Sequence, residues 1–185
     1  YEGEITIAKA NGGLPEEVYA ASLIIGATSV PGIIDVAKLK PGTLLVDYSF
    51  PNAFNPIEAI QRLEKDGDIL FTTGGQLTLP EEIKETLYLP DSVQSLIESF
   101  DPNHLQSLLG RNPNEITGCV LACLLTGMAE EVKVTLGPVK SEDSLAHYRH
   151  LDKLGIQPGA LGVDGYFLSS TILDNFREHH PSRVL

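Results

Sequence analysis

Two stretches of sequence decide the fold: Ala20-Ala-Ser-Leu-Ile-Ile-Gly-Ala-Thr-Ser-Val-Pro-Gly32 and Leu39-Lys-Pro-Gly-Thr-Leu-Leu-Val-Asp47. Each contains a continuous apolar run, at residues 22–26 and 44–48, next to glycine or proline. Such runs are typical of parallel strands that are covered on both faces of the sheet. The two stretches therefore predict neighbouring parallel strands joined by a crossover connection.

The segments around these stretches predict further strands with helices between them. Alternation at residues 4–8 and a short apolar run at 68–72 predict two more strands. Helical spacing occurs at residues 34–39 and 57–65. We expect all four strands to be parallel neighbours in one sheet, because crossovers separate the buried runs. The sequence thus predicts an α/β fold.

The later part of the chain has a different pattern. Prolines divide residues 77–112 into short pieces, and helical periodicity then predicts helices at 116–136, 143–154 and 169–179. Ser141 or Ser144 is a plausible N-cap of the second of these helices, and Gly155 its C-terminal stop. We therefore divide the chain into an α/β domain, residues 1–112, and a helical region, residues 113–185, that packs on it.

Small or polar residues follow three of the predicted strands: Gly26, Ala27, Thr28 and Ser29, then Asp47, then Gly74 and Gly75. In open α/β sheets the ligand lies outside the carboxyl ends of the strands. We expect a ligand to bind there, and the resemblance to Rossmann dehydrogenases described below implies that it is a dinucleotide. The alternative is that these residues are turns and nothing more. No pyrophosphate site is expected among them, because Pro31 and Gly32 interrupt the helix start that the glycine fingerprint requires.

Composition excludes several classes of function. The net charge of −12 argues against non-specific binding of nucleic acid and against adhesion to anionic membranes. No apolar run reaches the ~18 residues that a membrane span needs. Two cysteines and a polar, glycine-bearing start predict a reducing, cytoplasmic setting. Because the sequence begins without methionine and almost directly in a strand-like run, we expect a fragment or a processed chain.

The two opening stretches resemble the second half of many Rossmann dehydrogenases. Over about residues 2–161 the chain also resembles the C-terminal portion of the cyanobacterial long-chain acyl-carrier-protein reductases. Four places carry this likeness: residues 24–47, Thr73-Gly-Gly-Gln76, Gly118-Cys-Val-Leu-Ala-Cys-Leu-Leu125 and Leu154-Gly-Ile-Gln-Pro-Gly-Ala-Leu161. The resemblance implies the later half of a Rossmann-type domain without the first nucleotide-binding half. It also implies NADPH as cofactor, reduction of an acyl thioester to an aldehyde, and Cys119 as the active-site cysteine.

The sequence departs from this family at two places. Ala122 stands where the family has a glutamate three residues after its cysteine, and the chain continues past the usual end through Leu185. Because of these two departures, two classes of substrate are considered: an acyl thioester and another carbonyl compound.

The position of Cys119 suits a nucleophile, because the start of a helix favours the thiolate. The alternative is that Cys119 and Cys123 are small core residues, and for Cys123 we expect burial and a structural role. No metal site is expected, since a Cys-x3-Cys pair without a nearby histidine lacks a zinc ligand set. A basic patch of His147, Arg149, His150 and Lys153 is either a solvated helix face or a docking surface for an acidic carrier.

The sequence leaves three functions open. The first is an NADPH-dependent reductase of a thioester or carbonyl substrate, with an acyl carrier protein or a small acyl compound as partner. The second is another Rossmann dehydrogenase in which Cys119 is structural. The third is a non-catalytic half-domain that completes a fold or regulates a complex, with the missing half supplied by a partner chain.

Overall fold

Strands and helices alternate along the first part of the chain. The structure is a computed structural model that describes residues 6–9, 13–83, 90, 93 and 112–181. The elements are α1 (Glu16–Tyr19), β1 (Leu23–Gly26), a 3-10 helix (Val36–Lys38), β2 (Thr43–Asp47), α2 (Pro56–Asp66), β3 (Ile69–Thr73), β4 (Gln76–Thr78), β5 (Glu115–Thr117), α3 (Gly118–Met128), α4 (Ser141–Lys153), β6 (Gln157–Pro158), β7 (Gly162–Val163), β8 (Tyr166–Phe167) and α5 (Ser170–His179). This mixture confirms the α/β class.

A parallel sheet in the order β1-β2-β3 confirms three of the predicted strands. The register aligns Leu23 with Leu44 and Thr43 with Ile69 at the starts of the strands. The connection from β1 to β2 carries only a 3-10 turn, whereas α2 forms the crossover from β2 to β3. Sequence order therefore equals spatial order, as expected for consecutive crossovers.

The predicted strand at residues 4–8 is wrong for the part that the structure describes. Residues 6–9 have no regular structure and are exposed, and residues 4 and 5 lie outside the described residues. Among the described strands, β1 pairs only with β2. β-branched alternation fits a pleated surface, but it forms a strand only where a neighbouring backbone supplies hydrogen bonds.

Two compact units divide the chain: residues 1–74 with 160–185, and residues 75–159. This grouping differs from the division that we predicted at residue 112. The threonine hydroxyls of Thr72 and Thr73 donate to the Gly162 carbonyl over 3.3 and 3.1 Å, which fixes β7 beside β3. Long-range contacts of this kind leave no local sequence signal. The assignment of residues 1–112 to a cofactor domain remains a prediction.

The core of the first unit lies between the sheet and α2. Ile24, Leu45 and Phe71 point to one face and are almost fully buried. Local signals fix α2: the Asn55 side chain accepts from the amides of Ile57 and Glu58, and left-handed Gly67 ends the helix. The prediction of a helix at residues 57–65 is confirmed.

The second unit contains an antiparallel sheet in the order β5-β4-β6 together with α3 and α4. The helix predicted at residues 116–136 is wrong at both ends, because residues 115–117 form β5 and the helix stops at Met128. Val132 lies beyond that stop and is buried in the core of the unit. A chain that turns back to bury this β-branched side chain cannot continue as a helix along the surface.

The two later helices match their predictions within two residues. α4 begins at Ser141, so neither Ser141 nor Ser144 is its cap, and the capping residue is Lys140. Left-handed Gly155 follows the end of α4 as expected. The Ser169 hydroxyl caps α5 by accepting from the amide of Ile172.

Candidate cofactor crevice and cysteine helix

The carboxyl ends of the three parallel strands meet at one edge of the first unit. Gly26 pairs in register with Asp47, and Asp47 with Thr73. Two backbone bonds of 2.7 Å extend this pairing: the Tyr48 amide donates to the Gly26 carbonyl, and the Gly74 amide donates to the Asp47 carbonyl. The structure thus brings together the strand ends that the sequence singled out. We call the loops that leave this edge, residues 26–29 and 47–53 with Gly74, the strand-end crevice.

Asp47 organises the loop that follows β2. Its side chain is 1% exposed and accepts hydrogen bonds from the backbone amides of Ser49, at 3.0 Å, and Ala53, at 2.6 Å. Each carboxylate oxygen therefore already has a partner within the same loop. Contact between this carboxylate and a dinucleotide remains a prediction, whereas its role in shaping residues 48–53 follows from the geometry.

Neighbouring side chains leave no room for a Cβ atom at Gly26 and little room for one at Gly74. A Cβ atom added at Gly26 would lie 2.5 Å from Oδ1 of Asp47, closer than real Cβ atoms approach an oxygen. At Gly74 it would lie 3.1 Å from Cδ2 of Tyr48 and 3.2 Å from Cγ1 of Val46. Internal packing therefore explains Gly26 without a ligand, whereas at Gly74 the neighbouring side chains would need to shift by only a few tenths of an ångström.

Ser49 links two strand ends, and sequence reasoning missed it. Its buried hydroxyl oxygen accepts from the Thr28 amide at 3.0 Å, which joins the loop after β1 to the loop after β2. The Thr28 hydroxyl in turn accepts from the Val30 amide. The sequence signal that could have identified Ser49 is its position two residues after the aspartate that ends β2. Ala27 and Ser29 are left exposed beside this bridge.

Aromatic side chains, also missed, flank the same edge. Tyr48 is half-exposed, and Phe50 is 95% exposed. Tyr48 follows β2 directly, and its ring lies beside Gly74; Phe50 is two residues further along the same loop. They offer flat apolar surfaces to which a planar ring could stack.

Gly75 belongs to the second unit, although it follows Gly74 directly in the chain. Its φ of 82° lies in the left-handed region, where glycine is favoured. Its carbonyl accepts a 2.7 Å hydrogen bond from the amide of Gly118, the first residue of α3. Gly75 therefore helps to hold the start of the cysteine-bearing helix.

Cys119 occupies the first turn of α3, as predicted. Thr117 is the N-cap residue, and its side chain makes no capping hydrogen bond; the Cys119 thiol lies 3.4 Å from its hydroxyl. Amides at the start of a helix carry a partial positive charge, which favours an anion at this position.

The interpretation of both cysteines as core residues is wrong, because Cys119 and Cys123 are exposed free thiols. The buried face of α3 is formed by Leu121 and Leu125. Residues two positions away from each leucine point to the opposite side of a helix, which places both thiols toward solvent.

A groove of about 540 Å³ lies between α3 and α4, and Cys123 is on its wall. Aliphatic side chains, including those of Val134, Val139 and Leu151, supply much of the lining. His147 faces the same groove, and its Nδ1 lies 3.0 Å from the Asp143 carbonyl oxygen.

The predicted basic patch on α4 is partly neutralised. His150 Nδ1 and Lys153 Nζ lie 3.3 and 3.4 Å from the Glu131 carboxylate. The pKa of Glu131 lies below the ordinary value for a glutamate. The main cause is a hydrogen bond from its own backbone, and the next is the interaction with Lys153. Docking of an acidic carrier on this patch remains a prediction.

Two further kinds of feature are absent from the described residues. No cluster of three or more histidine, cysteine, aspartate or glutamate side chains there could hold a metal ion. In the same ranges, no helix has both the length and the apolar character needed to cross a membrane.

Comparison with known proteins found a similarity that covers only part of this chain. The sequence matches no protein-family model. Over 71 residues it is 37% identical to Aminotransferase PigE of Serratia sp. (strain ATCC 39006). The alignment covers 38% of this chain but only 8% of that protein, so the chain spans a small part of the relative that it matches. The similarity therefore links a segment of this chain to a larger protein named as an enzyme.

Proposed function

We propose that the chain is the later half of a Rossmann-type nicotinamide-dinucleotide domain, in a reductase that uses NADPH to reduce a thioester or carbonyl substrate. The observation that carries this proposal is the parallel order β1-β2-β3, with small residues at the carboxyl ends of the strands. In open α/β sheets that edge is where ligands bind. The opposite edge of β1, unpaired among the described strands, is where the other half of the sheet would pair.

The strand-end crevice suits one part of a dinucleotide better than another. Exposed Ala27 and Ser29 leave room for a ribose or a carboxamide, and the Ser29 hydroxyl can bond to either. The first helical residues after β1 form only a 3-10 turn at Val36–Lys38, so no helix N-terminus directly follows the loop to hold a pyrophosphate. The nicotinamide group, when bound, supplies the hydride.

Cys119 supplies the second part of the proposal. Its thiol would attack the carbonyl carbon of an acyl thioester, so that the acyl group passes to sulfur and the original thiol leaves with the proton. The first turn of α3 would stabilise the attacking thiolate, and exposure gives a carrier-bound thioester access. An acyl carrier protein or a small acyl thioester is the partner in this proposal. Two free thiols fit the reducing, cytoplasmic location that it assumes.

The acyl transfer can be tested on the 185-residue chain. Hexanoyl-N-acetylcysteamine is incubated with wild type, Cys119→Ala and Cys123→Ala, and the intact mass is measured. We expect one hexanoyl adduct on wild type and Cys123→Ala and none on Cys119→Ala. An adduct that vanishes only in Cys123→Ala would move the nucleophile to the α3–α4 groove. Absence of an adduct in all three proteins would contradict acyl transfer to a cysteine. Two functions would then remain: direct reduction of the substrate by hydride, or another dehydrogenase in which Cys119 is structural.

A second candidate function is favoured by the aminotransferase match. In that case the chain is one module of a larger enzyme that transfers amino groups, and it need not itself be catalytic. This candidate is also compatible with the hypothesis that the chain is a non-catalytic half-domain. It is supported if the chain accepts no acyl group, yet raises the activity of an aminotransferase domain from the same longer protein.

A further inference from the structure

The C-terminal segment after residue 160 builds a cavity on α2. This cavity, about 680 Å³ in volume, lies within the first unit between the last turn of α2, Tyr166 of β8 and one side of α5. Its size is within the range of small-molecule sites. The segment lies beyond the region of resemblance to the acyl-carrier-protein reductases, and the proposed reductase chemistry makes no use of it.

The walls of this α2–α5 cavity are anchored to the core. The Tyr166 ring stacks on buried Phe71, with 6.4 Å between ring centroids. On α5, buried Phe176 contacts the ring of His180 with centroids 4.7 Å apart. Gly162, at the start of the hairpin that carries Tyr166, is fixed by the Thr72 hydroxyl, which accepts from its amide at 3.0 Å. The cavity is therefore preformed.

Two helices end at the cavity, and both present their negative poles. α2 ends at Asp66, and α5 ends at His179. The C-terminal end of a helix carries a partial negative charge that favours a cation. At His179, Nδ1 lies 2.7 Å from the Asn175 carbonyl oxygen, which holds the ring against the last turn of α5.

The charged side chains around the cavity add to this polarity. Glu64 and Asp66 contribute two carboxylates, and Lys65 contributes one cation that lies 3.7 Å from Asp66 with its side chain 82% exposed. Burial, and after it the nearby Glu64 carboxylate, raises the pKa of the Tyr166 hydroxyl above its ordinary value. Among the described residues, no lysine or arginine pairs with Glu64. Its negative charge therefore remains available to a bound cation.

We infer that the α2–α5 cavity binds a small protonated amine with an apolar body. Leu63, Ile172 and the Tyr166 ring would contact the apolar body. The ammonium group would donate to Glu64, where a charge-assisted hydrogen bond is stronger than a neutral one. An anion would instead meet two carboxylates and two negative helix ends, against the single exposed cation of Lys65.

The probe of this site is benzylammonium chloride. Benzyl alcohol, which has a similar shape but no charge, is the control ligand. Both are titrated into the 185-residue chain at pH 7.5, and binding is followed by calorimetry and amide chemical shifts. We expect shifts centred on residues 63–67 and 172–180. The alcohol should bind at least about tenfold more weakly, because it lacks the charge-assisted bond.

Three variants locate the site. Glu64→Gln should weaken benzylammonium binding by about fivefold or more, since Asp66 remains. Asn175→Trp should fill the cavity and abolish binding. Asp174→Asn is the matched control, an exposed acid on the same helix that pairs with Arg177 at 3.1 Å, and it should leave binding unchanged. Thermal melts establish that each variant is folded.

Several outcomes would overturn the inference. Equal affinity for the alcohol would make the cavity a site for apolar molecules only. Equal losses in Glu64→Gln and Asp174→Asn would mean that net charge attracts the amine without a defined site. Absence of benzylammonium binding, or shifts confined to other residues, would leave the cavity without this role. None of these outcomes depends on Cys119 or on NADPH, so the proposed reductase function is tested separately.

Discussion

Substitution of Gly26 by alanine should destabilise the first unit by displacing Asp47. The added methyl group would lie 2.5 Å from Oδ1 and 3.3 Å from Cγ of that carboxylate, so the side chain has to move. Moving it disrupts two hydrogen bonds, from the amides of Ser49 and Ala53, in a region where the carboxylate is almost fully buried.

The expected cost follows from these bonds. A hydrogen bond to a charged group contributes about 1.5–3 kcal/mol, and a shifted carboxylate would keep part of one of the two. We therefore expect Gly26→Ala to lower the free energy of unfolding by about 2–4 kcal/mol. Gly13→Ala is the matched control in the same unit, because nothing lies within 4 Å of its added Cβ, and it should change stability by less than about 0.5 kcal/mol.

Urea denaturation followed by circular dichroism measures both effects, and a double-mutant cycle tests the mechanism. Asp47→Ala alone should be destabilising, since it leaves two amides without their acceptor. In the Asp47→Ala background, Gly26→Ala should cost much less than in wild type, giving a coupling energy of roughly 1.5 kcal/mol or more. Additive losses would refute the reasoning, as would a Gly26→Ala variant as stable as Gly13→Ala.

Four further outcomes are expected. Arg62 donates to Asp68 and to the carbonyls of Val36 and Leu39 over 2.6–2.9 Å, so Arg62→Lys should lower the free energy of unfolding by roughly 2 kcal/mol in urea titrations; a loss under about 0.5 kcal/mol would contradict this. Burial raises the pKa of the Tyr166 hydroxyl above its ordinary value of 10.0, and the nearby Glu64 raises it further. The unfolded chain therefore loses this proton at a lower pH than the folded chain does, and the free energy of unfolding falls as the pH rises past about 10. Tyr166→Phe should flatten that alkaline loss relative to wild type, and identical pH profiles would argue against it. Cys123→Ala should leave stability within about 0.5 kcal/mol because the thiol is exposed, a smaller change than burial would give. Calorimetry should detect weak or no NADPH binding to the 185-residue chain, since its residues lack a glycine-rich pyrophosphate turn, and micromolar affinity would show that the phosphate site has been misplaced.

Local signals in the sequence were sufficient for α2, α5 and three strands, but they placed both ends of α3 wrongly. Asn55, Pro56 and Gly67 specify where α2 begins and ends, and Ser169 does the same for the start of α5. The apolar runs in β1, β2 and β3 gave their parallel pairing, because a short apolar run between crossovers has few other stable arrangements. The expectation that both faces are covered is wrong for β1, where Leu23 and Ile25 are exposed. The meeting of the strand ends at one edge followed from that pairing.

Tertiary structure alone decided the features that depend on distant residues. The serine bridge at Ser49 requires the loops after β1 and β2 to touch, and the stop of α3 at Met128 requires Val132 to turn back into the core. The exposure of Cys119 depends on which face of α3 meets the rest of its unit.

The sequence by itself determined the α/β class, the order of the parallel strands and the position of Cys119 at the start of a helix. Each of these depends on residues within one element or its immediate flanks, where capping, periodicity and turn geometry act. It did not determine that residues 160–181 return to β3, or that this return creates a cavity against α2. The hydroxyls of Thr72 and Thr73 lie about 90 residues from Gly162 along the chain, and only packing of the whole unit brings such groups together.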